Sequence, residues 1–186
     1  MLLQDEKLYT VEEFFAIATL PENEGRRLEL EGGVIVEMAA STQENTVTAM
    51  RIGHFLNTFV IPRNLGYVTG ADGGFKLGKG RARQPDTAFI SKQRHPKLEG
   101  VNFPITPDLA VEIVSEDEDI FKKALEYLHA GTKQVWAVYT DQKMVYVMRL
   151  DEDGELRSRG YGMDATLDGG EVLPGFSLPV RQIFPS

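Results

Sequence analysis

The run Leu109-Ala110-Val111-Glu112-Ile113-Val114 limits what this chain can fold into more than any other stretch. It is apolar, of strand length and rich in β-branched residues, the pattern of a buried strand. Glu112 stands inside it. An ionised carboxylate in a dry core costs several kcal/mol unless it is paired or bound to a metal. Conflicts of this kind between local pattern and chemistry concentrate at functional sites.

The chain around this strand alternates between helical and extended patterns. Thr10-Val11-Glu12-Glu13 has the form of a capping box, and Phe14, Phe15, Ile17 and Ala18 supply an apolar face before Pro21. Arg27 to Glu31 alternates at period two, Gly32-Gly33 turns, and Val34 to Met38 returns, which predicts a hairpin with Leu28 and Leu30 on one face and Glu29 and Glu31 on the other. Thr46 to Phe59 reads as a helix, with Val47, Met50, Phe55 and Phe59 near helical spacing, as are Ile52 and Leu56. Short strands are expected at Tyr67–Thr69, Gly74–Leu77 and from Pro85-Asp86 through Ile90, then a loop or short helix over Ser91–Thr106.

After the central strand, Ser115 to Asp119 is acidic and leads into a helix that carries Lys122 and Lys123. Phe121, Leu125 and Leu128 mark its expected apolar face, and Gly131 its stop. Gln134–Tyr139 and Met144–Met148 are further strands, Leu156–Tyr161 an edge strand. The tail Leu173–Val180 is expected to wrap the core through Phe176, Leu178 and Val180. This order predicts a mixed α/β (α+β) fold, one domain over residues 1–186.

Composition removes several chemistries. There is no cysteine, so disulfides, thiolate zinc sites and cysteine nucleophiles are excluded. His54, His95 and His129 are far apart and form no ligand motif, so a metal site would be built from carboxylates and suit Mg²⁺ or Mn²⁺. No nucleophile elbow, Walker A motif or dinucleotide glycine fingerprint is present. No run has transmembrane length and Met1-Leu2-Leu3-Gln4-Asp5 is not a signal-peptide start, so no membrane contact and a cytoplasmic location are expected. A net charge of −8 argues against a non-specific nucleic-acid binder with a basic surface. A nuclease remains compatible, with Lys76, Lys79, Arg81 and Arg83 as the best local basic stretch; the same stretch also reads as a solvated turn.

The acidic residues on expected strands are Glu29, Asp86 and Glu112. If the strands of Asp86 and Glu112 are neighbours, their carboxylates can converge on one cation. Lys123 follows on the next helix and could pack back across the sheet, where a charged amine beside a metal suits hydrolysis of a phosphodiester. Each residue alone has a plainer reading. Asp86 after Pro85 can be turn chemistry, Glu112 can pair with a buried arginine, Lys123 can be solvated, and Glu29 can sit on an exposed hairpin face.

Taken together, these residues resemble the PD-(D/E)xK nuclease superfamily and, within it, the Uma-two family of putative restriction endonucleases. The matching segments are Glu29-Leu30-Glu31-Gly32-Gly33, Arg83-Gln84-Pro85-Asp86, Pro107 to Ser115, Lys123 to Gly131 before Val135-Trp136, and Leu173 to Pro179. The resemblance covers nearly the whole chain. It implies a restriction-endonuclease-like fold, a central mixed β-sheet flanked by helices. It implies Mg²⁺ (or Mn²⁺) held by Asp86, Glu112 and the main-chain carbonyl of Ile113, with Lys123 as the motif lysine and Glu29 as an additional acidic residue near the site. Val114 occupies the place of the superfamily's usual lysine, and the resemblance implies that Lys123 replaces it from the helix. Asn45 stands where family members often carry a histidine. The implied activity is metal-dependent endonucleolytic hydrolysis of DNA by a homodimer. The alternative is a catalytically inactive nuclease fold serving as a nucleic-acid or protein interaction module.

Overall fold

The computed structural model describes residues 7–115 and 118–185. The Met1–Asp5 start and the Glu116-Asp117 part of the acidic turn lie outside them. In chain order the elements are α1 (Val11–Ala18), β1 (Leu28–Glu31), β2 (Val34–Glu37), α2 (Gln43–Val60), β3 (Gly66–Gly70), β4 (Phe75–Gly78), β5 (Arg81–Arg83), β6 (Thr87–Ser91), β7 (Leu109–Ile113), α3 (Ile120–His129), β8 (Gln134–Tyr139), β9 (Met144–Leu150), β10 (Leu156–Tyr161), β11 (Thr166–Gly169) and β12 (Leu173–Pro179). No helix among the described residues is long and apolar enough to cross a membrane.

Six strands form the central sheet in the order β10-β9-β8-β7-β6-β3. It is mixed: β7 and β8 run parallel, and the other pairs are antiparallel. Parallel neighbours need a crossover, and α3 is that crossover. Because β7 lies inside the sheet and is covered on both faces, every one of its residues is buried, Glu112 included.

One face of the sheet packs against α2 and the C-terminal tail, where Ile52, Leu56 and Val60 meet Val111, Ile113, Trp136, Phe176 and Leu178. The other face packs against α3, where Ile120, Ala124, Tyr127 and Leu128 meet Ala88, Ala110 and Ala137. A second sheet, β2-β1-β5-β4, has its own small core of Val11, Phe14, Leu28, Leu30 and Ala82 under α1. Thr10 and Glu13 close the expected capping box on α1.

Three expectations from the sequence change. Helix α2 begins at Gln43 behind the cap Thr42, and of its two apolar stripes the one continued by Thr48 and Val60 faces the sheet; Val47 and Met50 are 43% and 73% exposed. Repeats of four residues keep 48, 52, 56 and 60 on one side, and a single helix can bury only one such side. In α3 the buried stripe is Ile120, Lys123, Ala124, Tyr127 and Leu128, while Phe121 is exposed. A charged residue goes down in place of an aromatic one because, as described below, Lys123 finds carboxylates there. Finally, three of the four basic residues in the Lys76–Arg83 stretch face carboxylates. Lys76 pairs with Glu12, and Arg83 is buried among carboxylates.

Candidate active site

The site grows from the register of β6 on β7. Thr87 pairs with Val111 in an antiparallel ladder, so one further residue along the same register sets Asp86 opposite Glu112 on a shared face. The backbone amide of Ile113 donates to Asp86 Oδ2 at 2.8 Å. Pro85 has no amide hydrogen to offer the ladder, which suits the point where the chain enters β6 and Asp86 turns its carboxylate to the end of β7.

Helix α3 closes over Glu112 with two side chains one turn apart. Lys123 Nζ donates to Glu112 Oε2 at 3.0 Å, and the Tyr127 hydroxyl donates to Glu112 Oε1 at 2.7 Å. Both oxygens of a carboxylate that is only 2% exposed are thus engaged. Lys123 also donates to Glu118 Oε1 at 2.8 Å and lies 3.7 Å from Glu29 Oε2. Three carboxylates (Glu29, Glu112, Glu118) therefore gather around one lysine, with Asp86 opposite Glu112 on the neighbouring strand.

The hairpin supplies the remaining wall. Leu30 pairs with Ala82, which sets Glu29 opposite Arg83. Glu29 is fully buried, not exposed on a hairpin face. It accepts from Arg83 Nη1 at 2.7 Å and from the Gln84 amide at 2.9 Å, so it holds the segment that delivers Asp86. Arg83 also donates to Glu31 and, at 2.6 Å, to Glu126, tying the second sheet to α3. The buried arginine that could have accounted for Glu112 is thus spent on Glu29.

On the outer side, Arg27 Nη2 lies 3.2 Å from Asp86 Oδ1. Asn45 does not join the cluster through its side-chain oxygen; it accepts from Thr140 at 2.9 Å, beyond the end of β8.

The crowding has electrostatic consequences. Burial pushes the Glu112 carboxyl up to about 8, Asp86, Glu29 and Glu118 push in the same direction, and Lys123 opposes them. Burial also raises Asp86, against the Ile113 amide and Arg27. For Lys123, burial favours the neutral amine, but Glu112, Glu29 and Glu118 outweigh it and hold it charged. Burial raises the Tyr127 hydroxyl, reinforced by Glu112, so it stays a donor. The arrangement is a charged lysine among surplus acid, with Glu112 the carboxyl whose ionisation burial opposes.

A divalent cation fits the chemistry of these donors. Asp86 and Glu112 are hard oxygen ligands, and a proton retained on a buried carboxyl is what such a cation displaces. Among the described residues, no group of three or more acidic or histidine side chains is arranged to hold an ion unaided. Two carboxylates completed by main-chain oxygen and water match the habit of Mg²⁺.

Lys123, Asp86, Glu112 and Glu29 are thus brought together, and Ile113 meets Asp86 through its amide. The sequence reading missed Tyr127, Glu118, Arg27 and the burial of Arg83. Tyr127 was findable, since i and i+4 share a helix face and Lys123 was already a candidate. Arg83 stands in the matching Arg83-Gln84-Pro85-Asp86 segment, which says nothing of its burial, and Arg27 carries no signal beyond charge.

A family model named Uma2 and described as "Putative restriction endonuclease" matches residues 11–181. Among solved structures, the crystal structure of a putative nuclease belonging to DUF820 from Anabaena variabilis is similar, with a TM-score of 0.79 over 94% of this chain and 97% of that one. At 22% identity the likeness shows a shared fold. No curated protein matches.

Proposed function

From the premise that the chain belongs to the Uma2 family of putative restriction endonucleases, whose model spans residues 11–181, we propose that it is a metal-dependent endonuclease that hydrolyses DNA phosphodiester bonds. The observation that carries this reading is the gathering of three side chains at the end of β7, where the Ile113 amide holds Asp86 and Lys123 donates to Glu112.

Asp86 and Glu112 would hold Mg²⁺ or Mn²⁺, with the Ile113 carbonyl as a further ligand. When bound, the ion supplies charge stabilisation at the phosphate and a more acidic water. The protein's own residues supply the rest. Lys123 places a fixed positive charge where negative charge develops, and its two carboxylate bonds set its direction without reorganisation during the reaction. Tyr127 fixes the rotamer of Glu112 by holding the oxygen that Lys123 does not. Glu29 positions the site from behind, holding Gln84 ahead of Asp86 and adding negative charge beside Lys123.

Incubation of supercoiled plasmid with protein and Mg²⁺ or Mn²⁺ tests the reading. Nicking or linearisation is expected, lost with EDTA and in Asp86→Ala and Glu112→Ala. Equal cleavage by both variants would remove these residues from the reaction.

A second reading, an inactive nuclease fold acting as an interaction module, draws on the net charge of −8 and on Asn45, which is engaged by Thr140. Calorimetry separates the two, since heats of Mn²⁺ binding that vanish in Asp86→Ala belong to the nuclease alone. A homodimer would let two acidic chains assemble a shared nucleic-acid groove, and light scattering in solution measures it.

A further inference from the structure

The two arginines beside the carboxylates are held in different ways. Arg83 makes three short contacts of 2.5 to 2.7 Å and its side chain is 3% exposed. Arg27 makes three longer ones: 3.2 Å to Asp86 Oδ1, 3.1 Å to the Gln84 carbonyl and 3.3 Å to Ser41 Oγ, with its side chain 22% exposed. Charge-assisted bonds between guanidinium and carboxylate usually fall at about 2.7–2.9 Å. Among the described residues, the Nε atoms of both arginines are buried without a hydrogen-bond partner, as is Gln84 Oε1, so the difference between them lies in contact length and exposure. The backbone of Arg27 is fixed by the Met38 amide, which donates to its carbonyl at 2.9 Å. A firmly seated backbone thus carries a loosely satisfied guanidinium.

The oxygen it faces matters. Asp86 Oδ2 accepts from the Ile113 amide and keeps a further lone pair, while Oδ1 is the oxygen that Arg27 lies over and where a cation would meet the guanidinium. A cation and the guanidinium are competitors there. A phosphate oxygen pair suits the planar fork of arginine better than one carboxylate oxygen met at 3.2 Å.

Resting on the nuclease reading, we propose that Arg27 couples cation loading to substrate: it covers Asp86 Oδ1 until a backbone phosphate of the nucleic acid draws its guanidinium away. Cation and nucleic acid then bind with positive cooperativity, and the coupling is reciprocal. The protein alone binds the cation weakly, and its carboxylate surplus is offset by Arg27 until the phosphate arrives.

The test is titration calorimetry of the full chain with Mn²⁺, alone and with a cleavage-resistant phosphorothioate duplex, for wild type, Arg27→Gln and Arg27→Lys. Wild type should bind Mn²⁺ on the order of tenfold tighter with the duplex present. Arg27→Gln should bind Mn²⁺ more tightly than wild type without duplex and gain nothing from it. Its duplex affinity should fall, with the slope of log Kd against log salt reduced by about one. Arg27→Lys keeps the charge but not the fork and should lose the coupling in part, which gives a readout if the glutamine variant folds poorly. Wild-type binding of both partners with identical coupling in the variants would overturn this inference alone. Wild type that binds neither Mn²⁺ nor duplex would overturn the nuclease reading with it.

Discussion

The backbone amide of Ile113 donates to Asp86 across 2.8 Å, so the strand that carries Glu112 also fixes the carboxylate facing it. The two acids are held by one piece of rigid backbone at the junction of β6 and β7. That rigidity lets the site survive removal of a charge.

Asp86→Asn keeps an oxygen for the Ile113 amide and removes only the negative charge. It should fold, with a melting temperature within a few degrees of wild type, and should lose both Mn²⁺ heats and plasmid cleavage. Thermal unfolding and calorimetry on the same sample check both. Retained Mn²⁺ binding would mean that Asp86 serves only to brace β7.

Lys123→Met leaves Glu112, Glu29 and Glu118 without their shared cation. Removing one partner from a buried ion pair costs about 3–5 kcal/mol. The variant should unfold at markedly lower urea, and the double variant Lys123→Met/Glu112→Gln should recover part of the loss, because the two side chains act as a pair. Additive losses in denaturant melts would show that the contact between them carries no coupling.

Arg83→Met removes the tie between Glu29, Glu31 and Glu126, and a loss of about 3–5 kcal/mol is expected for the same reason. Its effect should be felt first in the β2-β1-β5-β4 sheet, which rests on a small core of its own. Hydrogen exchange should show residues 28–37 and 75–83 losing protection before β7 and β8 do. Uniform loss across both sheets would contradict this order.

The pH dependence follows from Glu112. Its carboxyl titrates near the ordinary glutamate value when unfolded and at about 8 in the fold, so the fold favours the protonated form. That contribution is complete below about pH 4.5 and is lost as pH rises toward 8. With EDTA present, the melting temperature of wild type should fall from pH 5 to pH 8 relative to Glu112→Gln, and Mn²⁺ should reverse the fall. A parallel pair of curves for the two proteins would remove Glu112 as the titrating group.

Element type was legible wherever periodicity was strong: the capping box at Thr10, the Gly32-Gly33 hairpin, and β7 and β8 as apolar strands. Which helical face turns inward was not. In α3 the pattern Phe121, Leu125, Leu128 pointed one way, and the fold chose the stripe with Lys123 and Tyr127. Hydrophobicity ranks lysine for the surface, and only the position of Glu112 across the sheet makes its burial favourable. The same holds for Glu29, which a period-two pattern sets opposite Leu28 and Leu30. It is buried because α3 and Arg83 cover the second face of the hairpin.

The sequence by itself determined that a carboxylate would sit in a buried central strand, that Asp86 and Lys123 were its candidate companions, and that any metal site would be built from oxygen. Those conclusions rest on local pattern and residue chemistry, which the order of amino acids carries directly. The tertiary structure alone decided that β6 lies beside β7 with Asp86 opposite Glu112. It also decided that Tyr127 and Lys123 divide the two oxygens of Glu112, and that Arg27 rather than Arg83 lies beside Asp86. These are pairings between residues 11 to 59 positions apart, set by strand register and helix packing, which no local pattern encodes.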